Sequence, residues 1–186
     1  MRKKSNLVIA ISGPPGSGKS TLAVAIAREL GLRYHSTGSI FRKIAAERGV
    51  SVKDLDMIAE RDPSIDLMID NKAREEAMRG NIVIEGHIAT WIVKEYADLL
   101  IYVTAPLEIR VKRVAARDGI DLDEARRRIE TRESSMKKRF RFLYNIDMDD
   151  LSIHDIVINT LRINPDTMVK LVLTVIKELF GSRNDL

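Results

Sequence analysis

Short apolar runs alternate with longer stretches of helical periodicity along the whole sequence. The runs at residues 8–11, 33–35, 82–84, 99–103 and 156–158 have the length and composition of β-strands. Between them, apolar side chains recur every three or four positions over residues 21–30, 39–48, 52–61, 66–79, 107–118, 121–142 and 165–180, which predicts helices. This alternation predicts an α/β fold, a doubly wound and mostly parallel five-stranded sheet with helices on both faces.

Composition narrows the class of protein. The chain has 186 residues, of which 45% are hydrophobic and 31% are charged, so it has enough apolar surface to form a core. This length favours one compact domain spanning residues 1–186. The absence of cysteine excludes a disulfide scaffold, thiolate zinc sites and cysteine nucleophiles. No apolar stretch reaches the roughly 20 residues of a membrane span, so we expect a cytoplasmic protein that does not enter the membrane.

The region from about residue 36 to about residue 80 is predicted to be a helical insert. Two of its helices are separated by Asp62-Pro63-Ser64, a sequence typical of a turn. Ser39 is the expected N-terminal cap of the helix that precedes them. We expect Met57, Met68 and Met78 to fill gaps between the insert helices, because methionine adapts to irregular apolar spaces.

Residues 13–20 read Gly-Pro-Pro-Gly-Ser-Gly-Lys-Ser and match the pattern G-x-x-x-x-G-K-[ST] at every position. They lie between a predicted buried strand and a predicted helix, which is the context that this phosphate-binding loop requires. Its glycines let backbone N–H groups converge on phosphate oxygens, and the following helix contributes the positive end of its dipole. Lys19 is placed to reach the β- and γ-phosphates, and Ser20 is placed to ligate Mg²⁺. The sequence therefore predicts a P-loop NTPase that binds a nucleoside triphosphate with Mg²⁺ through Gly13, Pro14, Pro15, Gly16, Ser17, Gly18, Lys19 and Ser20.

The rest of the chain limits the kinds of P-loop protein. The only Asn-Lys pair, Asn71-Lys72, lies in the predicted insert and continues with Ala73-Arg74, so the guanine-reading segment of a GTPase is missing. A motor or a large ATPase needs more chain than 186 residues for its force-transmitting parts. A small kinase needs only a nucleotide core, one acceptor site and a mobile cover, and it must neutralise a transferring phosphoryl group with converging cations.

Arginines are concentrated from about residue 113 to about residue 142, a region that we predict to be a lid. Arg128, Arg132 and Arg139 fall on one helical face, and Arg117 lies on the preceding helix. A guanidinium grips phosphate with two donors and stays charged at pH 7. Two alternatives remain, a solvated face with local ion pairs such as Glu124 with Arg128, and a nucleic-acid surface. Nucleic acid is the less favoured partner, because no aromatic residues alternate with the arginines.

Taken together, these segments resemble the nucleoside monophosphate kinases, and within them the short archaeal-type cytidylate kinases. Residues 13–21 resemble the family's ATP loop, which implies that Thr21 binds ATP together with the eight residues of the motif. Residues 36–42 (Ser-Thr-Gly-Ser-Ile-Phe-Arg) are similar to the family's acceptor segment, and residues 62–66 (Asp-Pro-Ser-Ile-Asp) are similar to part of its acceptor-side insert. Residues 84–91 (Ile-Glu-Gly-His-Ile-Ala-Thr-Trp) resemble its Leu-Glu-Gly-Arg block. Residues 131–135 resemble its Arg-Glu-x-Ser lid, and residues 144–160 resemble its C-terminal segment.

The resemblance implies a kinase that moves the γ-phosphoryl group of ATP·Mg²⁺ to CMP or dCMP, with ADP as co-product. The residues expected to act in catalysis are Lys19, Arg117, Arg128 and Arg132. Those expected to bind the acceptor are Ser36, Gly38, Arg42, His87, Arg132 and Arg139. Glu85 is a candidate to orient water around Mg²⁺, or else a strand-end acid that satisfies local backbone groups. The expected partners are small-molecule nucleotides, and the choice between a monomer and a weak dimer stays open.

Three positions depart from the family pattern. His87 stands where the family has arginine, Met136 where its lid helix has an acidic residue, and Ser39 where its acceptor segment has an acid. A neutral histidine can donate a hydrogen bond to phosphate, but it lacks the permanent charge of arginine. We therefore also consider a kinase for AMP or UMP, and a P-loop factor that binds RNA in a nucleotide-dependent manner and has lost acceptor binding.

Overall fold

The computed structural model describes residues 6–181 of the chain. Its strands are β1 (Val8–Ser12), β2 (Arg33–Ser36), β3 (Ile82–Gly86), β4 (Leu99–Thr104) and β5 (Ile156–Asn159). They form one sheet in the order β2-β3-β1-β4-β5, and every neighbouring pair is parallel. The five predicted strands are confirmed, and the sheet is wholly parallel within the described residues. Residues 1–5 and 182–186, which the predicted domain over 1–186 includes, lie outside the described range.

Eight helices lie between or after these strands in the described part of the chain. They are α1 (Lys19–Leu30), α2 (Thr37–Glu47), α3 (Val52–Ala59), α4 (Ser64–Met78), α5 (Ala89–Ile92), α6 (Leu107–Asp118), α7 (Leu122–Tyr144) and α8 (Pro165–Phe180). The seven predicted helices are present. The sequence pattern missed α5, because its four residues are too few to show a helical period. No helix within residues 6–181 combines the length and the hydropathy needed to span a membrane.

The central strand β1 is buried on both faces, as its continuous apolar sequence predicts. One face of the sheet packs against α1 and α8, and the other packs against α4, α5 and the second half of α7. The main contributors from the helices are Leu22, Ile26, Val172 and Ile176 on the first face and Ala73, Ala89, Met136 and Phe140 on the second. Full burial of a large aliphatic side chain contributes about 1.5–3 kcal/mol, so this double layer fixes the position of β1.

The sheet brings the ends of three strands to one edge. Ile11 is level with Glu85 on β3 and with Ile101 on β4, and Ser12 is level with Gly86 and Tyr102. Because all strands are parallel, the segments that follow β1, β3 and β4 leave the sheet side by side. Ligands of open parallel sheets bind at this carboxyl edge, which is therefore the place to look for a site.

Helices α2, α3 and α4 form the predicted insert around a separate apolar cluster that includes Phe41 and Leu55. The expected cap at Ser39 is wrong. The helix begins at Thr37, and Ser36 is the cap, because its Oγ accepts a hydrogen bond from the Ser39 N–H at 3.1 Å. The chain passes from β2 directly into α2, so position 39 already lies in the first turn.

Two other expectations for the insert are also wrong. Met57, Met68 and Met78 are 51%, 53% and 59% exposed, because isoleucine, leucine and alanine fill the space between the helices. Helix α4 begins earlier than predicted, at Ser64, where Asp62 Oδ1 accepts the Ser64 N–H at 3.1 Å. The turn at Asp62 thus contributes directly to the start of this helix.

Helices α6 and α7 form a hairpin that covers the predicted lid region. Gly119 ends α6 with a φ of +66°, and the side chain of Asp121 caps α7 by accepting the Glu124 N–H at 2.7 Å. The two helices share a small apolar cluster that includes Val114 and Ile129. The first half of α7 is therefore held mainly by α6, whereas its second half packs on the sheet.

Candidate active site

The phosphate loop joins β1 to α1 and contains three glycines with positive φ. Gly13, Gly16 and Gly18 have φ angles of +151°, +78° and +100°, a region that L side chains rarely adopt. A Cβ on Gly13 would lie 2.1 Å from the carbonyl oxygen of Val103, and a Cβ on Gly16 would lie 2.8 Å from that of Arg110. The loop is thus packed so closely against β4 and α6 that only glycine fits at these two positions.

Two side chains hold the carbonyl oxygens of this loop from one side. Arg113 Nη1 donates to the carbonyl oxygens of Gly16 and Ser17 at 3.3 Å each, and to Thr160 Oγ1 at 2.8 Å. Thr160 Oγ1 in turn lies 3.0 Å from the Ser17 carbonyl oxygen and 3.1 Å from that of Thr104. Because C=O and N–H point in opposite directions in a trans peptide, the held Ser17 carbonyl turns the Gly18 N–H to the other side of the loop, towards the place where a phosphate would bind.

The remaining loop residues divide into buried and exposed positions. The Ser17 N–H donates to the Pro14 carbonyl oxygen at 3.3 Å, and the buried Ser17 Oγ has no hydrogen-bond partner within residues 6–181. The Pro15 carbonyl oxygen accepts a hydrogen bond from Arg110 at 3.3 Å. Ser20 and Thr21 lie in the first turn of α1 with exposed side chains. Their hydroxyl groups therefore face solvent at the mouth of the loop.

Lys19 lies in a concentration of positive charge. Its pKa is lowered by burial, raised by Glu85, and lowered further by Arg132, Arg117 and Arg42. These three arginines belong to α7, α6 and α2, so three separate elements direct cations at the end of the phosphate loop. Four cations around one carboxylate repel each other. An anion that carries several charges, such as a polyphosphate, is the kind of ligand that relieves this repulsion.

Glu85 is the last residue but one of β3 and is 2% exposed. Its Oε1 accepts hydrogen bonds from Ser36 Oγ at 2.5 Å and from the Tyr34 hydroxyl at 3.2 Å. Its Oε2 is buried and has no hydrogen-bond partner in the described part of the chain. Both interpretations of Glu85 are therefore open, since one oxygen serves neighbours on β2 and the other is available to a metal-bound water near Lys19.

His87 follows β3 and supports the first glycine of the loop. Its Nδ1 lies 3.2 Å from the Gly13 carbonyl oxygen, which only accepts, so we assign the proton of the neutral ring to Nδ1. Burial, together with the charges of Lys19 and Arg132, lowers the pKa of His87 well below its ordinary value. The ring is therefore neutral at pH 7, and its Nε2 accepts rather than donates. A hydrogen bond from His87 to the acceptor phosphate stays a prediction that this arrangement does not favour.

The predicted acceptor segment lies at the junction of β2 and α2. Ser36 caps the helix and donates to Glu85, as described above. Arg42 folds back over this turn, since a Cβ on Gly38 would meet its Nη1 at 3.5 Å, and its Nη2 donates to Ser39 Oγ at 3.0 Å. Ser39, which replaces the acid of the family pattern, therefore orients Arg42 without neutralising it.

Arg128, Arg132 and Arg139 lie on one face of α7, but their surroundings differ. Arg128 is exposed, and its Nε donates to Glu124 Oε1 at 2.7 Å, as the local-pair alternative predicts. Arg132 is 20% exposed, and the nearest carboxylate oxygen that it meets is Asp56 Oδ2 at 3.9 Å. Its guanidinium lies close enough to Lys19 to lower the pKa of that amine. Arg132, unlike Arg128, therefore lies near the phosphate loop, and Asp56 compensates its charge only weakly.

Arg139 lies deeper, between α7 and the insert. Its Nη1 is 3.1 Å from Asp56 Oδ1, and its Nε is 3.1 Å from Asp66 Oδ2. The rings of Phe41 and Phe140 each lie 5.6 Å from its Cζ. This guanidinium joins α7 to α3 and α4, and its predicted contact with the acceptor stays a prediction.

Arg117 lies at the end of α6 and pairs with its neighbour in sequence. Its Nε and Nη2 donate to the two carboxylate oxygens of Asp118 at 2.7 and 3.0 Å. Arg117, Arg128 and Arg42 all lower the pKa of Asp118, so α2, α6 and α7 converge on this carboxylate. Of the residues predicted for catalysis, Arg117 and Arg132 thus lie near Lys19, whereas Arg128 is connected to this region only through Asp118.

Several supporting residues carry no signal in the sequence. Arg110 has the pattern of an ordinary charge on an amphipathic helix, and Arg113 belongs to the predicted lid, so the sequence does not predict that both contact the phosphate loop. Asp56 reads as a polar position of α3, although it pairs with Arg139, 83 positions further along the chain. Only Thr160 had a signal, because it lies in the C-terminal segment that resembles the family.

Comparison with known proteins agrees with this geometry. A family model described as an AAA domain matches residues 12–138. The cytidylate kinase of Staphylothermus marinus is 52% identical to this chain over 166 residues, which cover 89% of the chain and 94% of that protein. The cytidylate kinase of Ignicoccus hospitalis is 52% identical over 89% of the chain and 96% of its own length. The cytidylate kinase of Pyrobaculum calidifontis is 46% identical over 95% of the chain and 96% of its own length.

Solved structures share the fold. An uncharacterized protein from Eubacterium ventriosum superposes with a TM-score of 0.71 at 21% identity, over 92% of this chain and 98% of that one. A shikimate kinase from Bacteroides thetaiotaomicron superposes with a TM-score of 0.62 at 17% identity, over 95% and 99% of the two chains. Identity this low supports the P-loop kinase fold alone. The identity to the archaeal relatives goes further, and it shows that the chain belongs to the nucleoside monophosphate kinases, in the archaeal cytidylate kinase group.

Proposed function

We propose that this protein transfers the γ-phosphoryl group of ATP to CMP and dCMP and releases ADP. The observation that carries the proposal is the convergence of Lys19, Arg42, Arg117 and Arg132 from four helices on the end of a tightly packed phosphate loop. A nucleoside triphosphate and a nucleoside monophosphate that meet phosphate to phosphate would supply the negative charge that this region lacks. The identity to archaeal cytidylate kinases supports CMP as the acceptor.

The donor half of the reaction uses the phosphate loop. Loop N–H groups and Lys19 would hold the β- and γ-phosphates of ATP. The residues present fit a Mg²⁺ ion, because Ser20 offers an exposed hydroxyl and Glu85 offers a buried carboxylate oxygen without a partner. Ser20 would bind the ion directly, and Glu85 would orient one of its waters. The bound ion would neutralise charge on the β- and γ-phosphates.

The acceptor half relies on position and charge. A nucleoside monophosphate is already ionised at pH 7, so its phosphate needs no strong general base to attack. Arg42 from α2 and Arg132 from α7 both lie near Lys19, and both would bind phosphate oxygens with their forked donors. Arg117 would add charge at the transferring group. Closure of the α6–α7 hairpin over the substrates would exclude water, so that hydrolysis does not compete with transfer.

An acceptor panel tests this function directly. ADP release from ATP·Mg²⁺ is measured with CMP, dCMP, UMP and AMP in turn, with no acceptor and with RNA as the two references. We expect CMP and dCMP to give rates at least ten times those with AMP or with no acceptor. Equal rates with all acceptors, or stimulation by RNA alone, would contradict the proposal.

We also propose that the reaction takes place in the cytoplasm, where these small nucleotides are available.

A further inference from the structure

Arg110 connects the phosphate loop to the lid helix. It is only 8% exposed, and its Nε donates to the Ala105 carbonyl oxygen at 3.1 Å. Its Nη1 donates both to the Pro15 carbonyl oxygen at 3.3 Å and to Glu133 Oε1 at 2.5 Å. The backbone of Arg110 also packs against Gly16, as the close approach of a Cβ at that position shows. A single guanidinium therefore contacts both the loop and α7.

Glu133 is placed to transmit a movement of the phosphate loop to α7, or a movement of α7 to the loop. It follows Arg132 in α7, and its side chain is 24% exposed, so its carboxylate is partly shielded from water. After burial, the charge of Glu133 is the largest influence that raises the pKa of Tyr102, so the carboxylate also lies near the end of β4. No movement of α7 at Glu133 can leave Arg132 in place, because the two residues are neighbours in one helix.

The ion pair between Arg110 and Glu133 resists separation. Loss of a carboxylate partner would leave a buried guanidinium uncompensated, which is strongly unfavourable. The Pro15 carbonyl group belongs to the phosphate loop, and Arg110 holds it with the same Nη1 that binds Glu133. A shift of the loop on binding nucleotide would therefore move Arg110, and Arg110 would pull on α7.

We propose that the Arg110–Glu133 ion pair couples nucleotide occupancy of the phosphate loop to the position of Arg132 at the acceptor site. Glu133 is then a positioning residue for phosphoryl transfer. This inference rests on the proposed function. It requires that bound ATP tighten the binding of CMP. By thermodynamic reciprocity, bound CMP must then tighten the binding of ATP by the same factor.

The test measures the dissociation constant of CMP by calorimetry, with and without saturating Mg²⁺ and a non-hydrolysable ATP analogue. For the wild-type protein we expect the analogue to tighten CMP binding by about 5-fold or more. For Glu133→Gln we expect this factor to fall below about 2, while the affinity for the analogue alone stays within about 3-fold of wild type. The matched control is Glu130→Gln, which removes an exposed pair with Arg126 on the same helix and should keep the wild-type factor.

The outcomes separate coupling from mere support of the fold. A purely structural role for Glu133 would lower the melting temperature of Glu133→Gln and leave the coupling factor unchanged, and that result would overturn the proposal. If Glu133→Gln does not fold, Glu133→Asp decides, because it keeps the charge but is one methylene too short for the contact. A wild-type factor of one together with CMP binding would contradict this inference alone. Failure of the wild-type protein to bind CMP would contradict the proposed function as well.

Discussion

Arg139 Nη1 lies 3.1 Å from Asp56 Oδ1, and neither side chain is more than 7% exposed. With Asp66 on its other side at 3.1 Å, Arg139 is held between two insert helices. Arg132, on the same face of α7, meets Asp56 only at 3.9 Å. One helix face thus presents an arginine that is held between two carboxylates and another whose charge is only weakly compensated.

Replacement by methionine should affect the protein differently at Arg139 and at Arg132. Arg139→Met leaves Asp56 and Asp66 without their cation, so we expect a loss of about 3–5 kcal/mol in the free energy of unfolding. Arg132→Met should change stability by less than about 1 kcal/mol and lower turnover by about 10²–10³. Urea unfolding and steady-state kinetics measure these effects. A stable, inactive Arg139→Met protein would show instead that Arg139 acts on substrate.

Lys19→Ala should abolish most turnover without harming the fold. The amine holds the phosphates of the donor, so we expect turnover to fall by at least about 10²-fold. The melting temperature should not fall, because removal of Lys19 relieves its repulsion with Arg132 and Arg117. The control is Arg48→Ala, an exposed arginine at the end of α2 that should retain wild-type turnover. Near-normal activity of Lys19→Ala would refute the assignment of the loop.

Asp70 makes stability depend on pH. It is 5% exposed, it accepts a hydrogen bond from the Tyr144 hydroxyl at 2.8 Å, and burial raises its pKa to about 7. In the unfolded chain the pKa of an aspartate is about 3.9. Between about pH 4 and pH 7 the folded protein therefore binds more protons at Asp70 than the unfolded chain does. The contribution of Asp70 to the free energy of unfolding thus falls as pH rises. Asp66, with a pKa raised to about 6 by burial, adds to the same trend.

Asp70→Asn should remove much of this dependence. We expect the variant to be more stable than wild type at pH 8, because a neutral amide replaces a buried carboxylate, and the difference should shrink towards pH 4. Urea midpoints at several pH values measure the effect. A variant that is less stable than wild type at pH 8 would show that the ionised carboxylate is paired more strongly than its surroundings indicate.

Two glycines with similar backbone angles provide a test of loop packing. Gly16 and Gly49 have φ angles of +78° and +65°, but a Cβ on Gly49 would meet nothing within 4 Å. Gly49→Ala should cost only the conformational strain of about 1–2 kcal/mol. Gly16→Ala should cost more and should also raise the KM for ATP, because its Cβ would push the loop away from Arg110. Equal effects of the two substitutions would contradict the tight packing of the loop on α6.

Local chemistry explains what could be predicted from the sequence. The phosphate loop depends on glycines and one lysine within eight consecutive residues, and the strands and helices around it have clear apolar periods. The position of Ser39 could not be predicted, because the cap depends on how closely α2 follows β2. The exposure of Met57 depends in the same way on which side of α3 faces the insert.

Long-range pairing explains what could not be predicted. Arg113 holds the phosphate loop only because the fold brings it to Gly16, 97 positions away, and to Thr160, 47 positions away. The arginines of α7 share one helical period, so periodicity alone could not separate the exposed Arg128 from the buried Arg139. Their different roles follow from the carboxylates that the insert places opposite each of them.

The most direct test of the central claim follows the γ-phosphoryl group itself. The protein is incubated with Mg²⁺, CMP and ATP labelled at the γ-phosphorus, and the nucleotides and inorganic phosphate are separated. We predict that the label appears in CDP, in an amount equal to the ADP formed, and that CMP does not increase the release of inorganic phosphate. Label that appears only in inorganic phosphate, with none in CDP at any concentration of CMP, would contradict the claim that this protein is a CMP kinase.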